Sequence, residues 1–239
     1  MTTRSERTHI EAAIIGDSHA MAVWKHLAPG TVFRRTMTAP AKHFDGRFFA
    51  ATEGGIRITA DGLGPAFPRA TAEVIATMTL ARQRLDAQLQ AIIEAGLPVI
   101  SSLGAASYRF ARRVAASAED GMPGASGRIL RAAAADHIQH FVAFHEALRA
   151  HVPAVTFMLG ACRYPPNQKA AWLAHDQVMT DRLTAAGIGI IDTRQATGDA
   201  ELRMLPEFEA DDALHGNARW CEAVADRIRG VVGAGVAGG

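Results

Sequence analysis

The chain has 239 residues, of which 49% are hydrophobic and 21% are charged, and 25 basic residues nearly balance 24 acidic ones to give a net charge of +1. This balance argues against a nucleic-acid-binding protein or a polybasic membrane-surface protein, because both need a local excess of positive charge. The hydrophobic content excludes disorder throughout, since enough apolar surface is available for burial to offset the entropy of ordering the chain.

The length predicts a single domain over residues 1–232, followed by a flexible Gly/Ala tail over residues 233–239. Two cysteines, Cys162 and Cys221, are too few for a disulfide framework or a four-cysteine zinc site, and we expect both to be buried. The first residues lack the apolar segment of a signal peptide, and no stretch approaches the roughly 20 apolar residues of a membrane span. We therefore expect a soluble, cytoplasmic protein.

Short apolar runs alternate with longer amphipathic segments, which is the pattern of βαβ units around a parallel sheet. We predict five parallel strands, at Ala12–Gly16, Thr31–Met37, Pro98–Leu103, Ala154–Leu159 and Gly189–Asp192. The predicted helices cover His19–Leu27, Pro68–Glu94, Ser126–His151, Pro166–Ala186 and Asn217–Val232. The sequence thus predicts an α/β fold in which helices cover a five-stranded parallel sheet.

Residues 39–67 interrupt this alternation. Two β-type runs, Phe48–Thr52 and Ile56–Thr59, are separated by Glu53-Gly54-Gly55, which predicts a β-hairpin inserted after the second strand. Such an insertion forms either a rim over a site or a surface feature, and the sequence leaves both interpretations open. A second irregular stretch, Glu119–Ser126, is rich in Gly, Pro and Ser and predicts a loop.

The first predicted strand runs directly into Gly16-Asp17-Ser18, and a predicted helix follows at once. Ser18 is therefore expected at the carboxyl end of a strand and the amino end of a helix, where open α/β sheets bind ligands. Free backbone N–H groups at such a position favour negative charge, so the N–H of a nucleophilic Ser18 would help to hold the oxyanion of a tetrahedral intermediate. The alternative is that Ser18 is only an N-cap, a position that serine prefers.

The segment Asp212-Ala-Leu-His215-Gly-Asn217 precedes the last predicted helix. A serine hydroxyl needs a general base near neutral pH, and histidine has the pKa that suits this task. An aspartate three residues earlier is able to orient the imidazole through Nδ1 and leave Nε2 for the serine. Ser18, Asp212 and His215 would then form a catalytic triad. Taken alone, Asp212 and His215 are equally consistent with a helix start and a surface histidine.

Together, Gly16-Asp17-Ser18 and the block from Asp212 to Asn217 resemble the first and last sequence blocks of the SGNH (GDSL-type) hydrolases. In this chain the first block continues with His19 and Ala20, and the resulting Gly-Asp-Ser-His-Ala sequence is also similar to SGNH domains attached to membrane O-acyltransferases. The resemblance implies a three-layer α/β/α sandwich of flavodoxin-like topology that needs no metal and no cofactor. It implies Ser18 as nucleophile, His215 as base and Asp212, rather than Asp211, as its partner.

One block of this chain departs from the family pattern. Family members carry Gly-x-Asn after the third strand, where this chain has Gly104-Ala-Ala106, so Gly104 matches and Ala106 replaces the oxyanion-binding asparagine. Loss of one such donor costs about two to three orders of magnitude in rate. The candidates to replace it, or to contact substrate, are Ser107, Arg109, Arg163, the backbone N–H groups of Gly104–Ala106, and His19 beside the serine.

The implied function is serine-dependent hydrolysis of a carboxylic ester, with a small-molecule or glycan ester as substrate and no nucleic-acid partner. The near-neutral charge favours a small, weakly charged ester. Two alternatives stay open: O-acyl transfer, and a catalytically weak binding or accessory protein that keeps the triad but lacks the asparagine.

His137 and His140 are neighbours on a predicted helix, and the sequence offers no third metal ligand with suitable spacing. We therefore expect a helix face rather than a metal site.

Overall fold

The computed structural model of the chain describes residues 8–25, 31–53, 55–119, 126–212 and 214–236. Its strands and helices follow one another as β1 (Thr8–Gly16), α1 (Ser18–Lys25), β2 (Thr31–Thr38), β3 (Phe49–Thr52), β4 (Gly55–Ile58), α2 (Leu63–Ala66), α3 (Ala72–Glu94), β5 (Val99–Ser101), α4 (Ser107–Glu119), α5 (Gly127–Arg149), β6 (Val155–Met158), α6 (Lys169–Ala185), β7 (Gly189–Ile191), α7 (Arg194–Thr197) and α8 (Ala218–Val236).

Five strands form a parallel sheet in the order β2-β1-β5-β6-β7. Counting only these five strands along the chain, the order is 2-1-3-4-5, which is the flavodoxin-like arrangement. The chain moves from β1 to β2 in one direction and then crosses back to β5 on the other side of β1. Open α/β sheets bind ligands where the order reverses in this way, at the carboxyl ends of the strands. The predicted five-stranded parallel sheet is confirmed.

Helices cover both faces of this sheet because its strands are apolar on both sides. Along β1, Ala13 and Ile15 belong to the hydrophobic cluster that contains the buried residues of α3, α5 and α6. The alternate residues Ala12 and Ile14 belong to a second cluster, with the buried residues of α1 and α8. This alternation is the period of two expected of a strand, and it gives the predicted three layers. Within the ranges that the structure describes, no helix is long and apolar enough to cross a bilayer.

The predicted hairpin is present as the antiparallel pair β3 and β4, although Gly54 of its turn lies outside the described residues. The predicted loop at Glu119–Ser126 falls largely on residues 120–125, which also lie outside them. The C-terminal helix α8 continues to Val236, so four residues of the predicted tail are helical, and residues 237–239 are not described.

Two helix predictions need correction. Helix α3 begins at Ala72 rather than at Pro68, because the side chain of Thr71 accepts a hydrogen bond from the N–H of Val74 and caps the helix there. Helix α4 is absent from the predicted helices. Its buried residues Phe110 and Ala111 pack into the larger of the two clusters.

His145 on α5 is a fully buried polar residue of the core between α5 and the sheet. Its Nδ1 lies 2.7 Å from the carbonyl oxygen of Phe141, to which it donates, and its Nε2 lies 2.7 Å from Oγ of Ser101 at the end of β5. A neutral imidazole satisfies both contacts, because it has one donor and one acceptor nitrogen. Burial lowers the pKa of His145 to about 4.

We predict that His145→Gln weakens the dependence of stability on pH. Between about pH 4 and pH 6.5 the unfolded chain binds a proton at this residue and the folded chain does not, so the free energy of unfolding falls as the pH falls. The slope should decrease by up to about 1.4 kcal/mol per pH unit in the variant. Urea unfolding at several pH values measures it, with the exposed His151→Gln as control. Equal slopes in the wild type and His145→Gln would contradict the prediction.

Candidate active site

Ser18 is the first residue of α1 and follows the end of β1 directly. The turn depends on Gly16, which has a φ of 152° and packs against Ser102 so closely that a Cβ atom would overlap the Ser102 hydroxyl. Because Gly16 has no side chain, the carboxyl ends of β1 and β5 approach each other. The Ser18 side chain is half-buried at the place where the strand order reverses.

His215 lies in the loop before α8, and local hydrogen bonds hold that loop in shape. Oδ1 of Asp212 accepts from the N–H groups of Leu214 and His215, both at 2.7 Å. Oδ1 of Asn217 accepts from the N–H groups of Arg219 and Trp220 at 2.9 and 3.3 Å and so caps α8. These two side chains fix the backbone on both sides of His215.

The two segments meet in a chain of hydrogen bonds. Nε2 of His215 lies 2.8 Å from Oγ of Ser18, and Nδ1 of His215 lies 2.7 Å from Oδ2 of Asp212. Burial raises the pKa of Asp212, but the hydrogen bonds from the His215 side chain and from the N–H groups of Leu214 and His215 outweigh it and lower that pKa to about 2. Asp212 is therefore a carboxylate at neutral pH and fixes Nδ1 of His215 as the protonated nitrogen.

Arg163, a candidate oxyanion donor in the sequence, is instead engaged with the His215 loop. Its guanidinium donates to the carbonyl oxygens of Ala210 and His215, each at 3.0 Å, and to that of Asp212. It also forms an ion pair with Glu209 at 2.9 Å. Arg163 follows β6, so these contacts attach the loop to the carboxyl edge of the sheet.

The other candidate side chains also have partners elsewhere. The Ser107 hydroxyl donates to the buried carboxylate of Asp176. Nη1 and Nη2 of Arg109 donate to the carboxylate of Asp45, at 2.5 and 2.6 Å. The Ser107 hydroxyl and two of the five N–H donors of Arg109 are therefore already used.

Gly104 lies in the loop after β5 with a φ of 90°. A side chain there would be strained, and its Cβ would lie 2.6 Å from Cε of Met179 and 2.8 Å from Cγ of Phe141. Ala106 is buried and presents only a methyl group where the family pattern has asparagine.

Comparisons with known proteins complement this geometry. No protein-family model matches the chain, and no curated protein matches it. Among solved structures it is similar to an extracellular lipase from Streptomyces rimosus, at 14% identity and a TM-score of 0.50, over 94% of this chain and 99% of that chain. It is also similar to an alpha/beta hydrolase enzyme from the metagenome of Lake Arreo, at 12% identity and a TM-score of 0.47, over 95% and 96% of the two chains.

The chain thus shares its α/β fold with the Streptomyces rimosus lipase. At this level of identity the likeness concerns the fold alone, and the chemistry has to be argued from the side chains of the site.

A cavity of about 530 Å³ opens beside the Ser18 turn, with Asp17 in its wall. Volumes of this size are usual for small-molecule sites. One side is built by the insertion, through residues of the 41–46 segment together with Ala66 and Phe67, so the insertion forms a rim over this cavity. The remaining wall residues come from the β5–α4 loop, α4 and α5: Leu103, Gly104, Ala106, Arg109, Arg113, Asp136, His137, His140 and Phe141.

His137 and His140 thus face the cavity from α5. Burial, the neighbouring His175 and nearby arginines lower the pKa of His137 to about 3, so its imidazole is neutral there. Among the residues that the structure describes, no three His, Cys, Asp or Glu side chains are grouped so as to hold a metal ion.

Arg82 on α3, which no motif in the sequence singles out, holds the rim in place. Its side chain is 1% exposed and donates to the carbonyl oxygens of four rim residues: His43 at 2.9 Å, Asp45 at 2.5 Å, Arg47 at 3.2 Å and Thr59 at 2.9 Å. A buried charge is tolerated when its donors are satisfied in this way. Burial lowers the pKa of Arg82 to about 10, so it remains charged at neutral pH.

We predict that Arg82→Met destabilises the protein by about 3 kcal/mol, because it leaves buried carbonyl groups without donors. Arg229→Met is a matched control that removes a solvent-exposed ion pair with Asp226 on α8 and should cost at most about 1 kcal/mol. Chemical denaturation measures both values. Equal losses for the two variants would contradict the role of Arg82 as the anchor of the rim.

Proposed function

We propose that this protein is a serine-dependent ester hydrolase of the SGNH type, with Ser18 as nucleophile, His215 as general base and Asp212 as its orienting partner. The observation that carries the proposal is the 2.8 Å contact between Oγ of Ser18 and Nε2 of His215. With Nδ1 protonated and bound to Asp212, Nε2 carries the lone pair that can accept the serine proton.

The reaction follows from these positions. Oγ of Ser18 attacks the ester carbonyl carbon while Nε2 of His215 takes the hydroxyl proton, which gives a tetrahedral intermediate. His215 then donates this proton to the leaving alcohol, and an acyl-enzyme remains on Ser18. Water, activated by His215 in the same way, releases the acid and restores the hydroxyl. Asp212 stays ionised throughout and stabilises the imidazolium form of His215.

The oxyanion needs hydrogen-bond donors on the side of the carbonyl oxygen. Ser18 begins a helix, and the first N–H groups of a helix have no acceptor within it. We assign its N–H as one donor. Gly104 lines the adjacent cavity and supplies the second N–H. The cavity then takes the larger part of a small-molecule or glycan ester.

The triad connects the first strand of the sheet to the last loop of the chain, and this supports one domain over residues 1–232.

A second candidate function is a catalytically weak binding or accessory protein. Ala106 supplies no donor in place of asparagine, and the hydroxyl of Ser107 and the guanidinium groups of Arg109 and Arg163 are engaged elsewhere. A site with one donor fewer is slower by about two to three orders of magnitude. The same triad and cavity would then serve mainly to bind an ester.

We predict that wild-type protein hydrolyses p-nitrophenyl esters and that Ser18→Ala and His215→Ala each reduce kcat by at least about 10³-fold, since either change removes the attacking group or its base. Ser117→Ala, a serine-to-alanine change on α4, is the control and should leave kcat unchanged. Turnover is followed by absorbance over a series from acetate to octanoate. Equal kcat values in wild type and Ser18→Ala, or no turnover with any ester, would contradict the proposal.

We further predict that Ala106→Asn raises kcat by about 10²-fold, because it introduces an amide donor at the position where family members have one. Ala66→Asn places the same side chain on the rim side of the cavity and is the matched control, with no such gain expected. An unchanged kcat in folded Ala106→Asn would contradict the claim that the missing amide donor limits the rate.

A further inference from the structure

Asp17 connects the serine turn to the cavity. It directly precedes Ser18 and lies in the cavity wall, whereas Ser18 and His215 are not among the described residues that line the cavity. Consecutive Cα atoms are only about 3.8 Å apart, so a group that extends from an ester at Ser18 into the cavity passes close to Asp17. The Asp17 side chain is therefore placed to contact the substrate near the reacting bond.

The protein uses only one oxygen of the Asp17 carboxylate. Oδ1 accepts from the N–H of His19 at 3.0 Å and from Oγ of Ser102 at 2.9 Å, and it lies 3.2 Å from Nδ1 of His19. His19, a candidate for substrate contact in the sequence, is itself 2% exposed and held against Asp17 in this way. Burial raises the pKa of Asp17, but the charge of His19 and the hydrogen bonds from His19 and Ser102 outweigh burial and lower it. Asp17 is therefore a carboxylate at neutral pH.

The second oxygen, Oδ2 of Asp17, faces the cavity. Among the residues that the structure describes, none donates a hydrogen bond to it. The enclosed side-chain atoms without a partner in this part of the chain do not include Oδ2; they are Nδ1 of His43 and His175 and Oγ1 of Thr59 and Thr180. An oxygen that has no protein partner and is not enclosed borders open space, which here is the cavity. Because the Asp17 side chain is otherwise buried, a hydrogen-bond donor at Oδ2 is strongly favoured.

We propose that Asp17 is a specificity-determining residue, whose Oδ2 accepts a hydrogen bond from a hydroxyl group that the substrate carries a few bonds from the ester. The substrate class is then a hydroxyl-bearing ester, either a monoester of a diol or polyol or an ester of a hydroxy acid. This inference rests on the proposed function, because it concerns the substrate of the same site.

The charges of the cavity wall favour a neutral hydroxyl group at this place. The wall carries three carboxylates, Asp17, Asp45 and Asp136, and two guanidinium groups, Arg109 and Arg113. Arg109 is paired with Asp45, and no guanidinium group of the described residues is paired with Asp17. An anionic group beside Oδ2 would therefore be repelled. An ammonium group would be attracted, but it loses far more hydration than a hydroxyl group on entering a buried place.

The test compares two pairs of esters that differ by a donor. The first pair, 2-hydroxyethyl acetate and 2-methoxyethyl acetate, places the hydroxyl group on the alcohol. The second pair, methyl glycolate and methyl methoxyacetate, places it on the acid. In at least one pair, kcat/KM of the wild type should be about tenfold or more higher for the hydroxyl compound, because its ether cannot donate to Oδ2. Equal kcat/KM values within both pairs would overturn the proposal.

Asp17→Asn reverses the polarity of the atom that faces the cavity. The amide oxygen keeps the hydrogen bonds from His19 and Ser102, so the amide NH₂ group takes the place of Oδ2. This group donates to a hydroxyl and to an ether oxygen alike, and the preference should disappear. Asp226→Asn on the exposed face of α8 is the matched control and should keep the wild-type preference. If Asp17→Asn lowered kcat/KM of all four esters by one factor and kept the preference, Asp17 would be merely structural and the proposal overturned.

Binding measurements separate this inference from the proposed function. Ser18→Ala has no nucleophile, and NMR titration of this variant with both pairs should show about tenfold tighter binding of the preferred hydroxyl compound. A crystal structure of that complex should place the hydroxyl oxygen within about 3 Å of Oδ2 of Asp17, and it decides the matter even if Asp17→Asn does not fold. A hydroxyl group bound elsewhere would overturn the proposal. Preferential binding without turnover of any ester by the wild type would contradict the ester-hydrolase proposal and support the role of Asp17.

Discussion

The hydrogen bond between Ser18 and His215 joins residues 197 positions apart in the chain, and each layer of the fold contributes to it. The parallel sheet brings the carboxyl ends of β1 and β5 together, and the missing side chain of Gly16 lets them approach. The loop of His215, which immediately precedes α8, lies at the carboxyl ends of these strands. Asn217 caps that helix and so fixes where the His215 loop begins and ends.

Buried or nearly buried cations hold the loops at this edge. Arg82 fixes the cavity rim and Arg163 fixes the loop of His215, in each case by donating hydrogen bonds to backbone carbonyl oxygens. Backbone carbonyl groups in loops lack the partners that helices and strands provide. A guanidinium group with five donors is able to satisfy several of them at once and leaves the loop with a single conformation. The site is therefore preorganised by charge as much as by apolar packing, which is the arrangement that electrostatic catalysis needs.

The sequence predicts the features of this protein that depend on local pattern. Five apolar runs identify the five strands, most clearly β5 and β6, which are buried on both faces, and Gly16-Asp17-Ser18 marks the turn at the end of the first strand. The spacing of Asp212 and His215 is also local, and it gives the hydrogen bond between them. Helix α4 is absent from the predicted helices, and the family block compared at Gly104–Ala106 ends just before this helix begins.

The remaining features depend on contacts between distant segments. Nothing in the sequence near Arg82 indicates that its acceptors lie 23 to 39 residues earlier, since backbone carbonyl groups belong to every residue and carry no sequence signal. The partners of Arg163 are likewise backbone carbonyl groups, so residue type alone suggested an oxyanion donor. The cavity follows from the packing of the rim against α4 and α5, and only the structure decides between a rim and a surface feature.

The central claim is that His215 activates Ser18, and covalent labelling tests it most directly. Wild-type protein and His215→Ala are incubated with a fluorophosphonate at neutral pH, and the adduct is located by peptide mass spectrometry. The account predicts a single adduct on Ser18 in the wild type and its loss in His215→Ala. An adduct on a different serine, or equal labelling of Ser18 in both proteins, would contradict it.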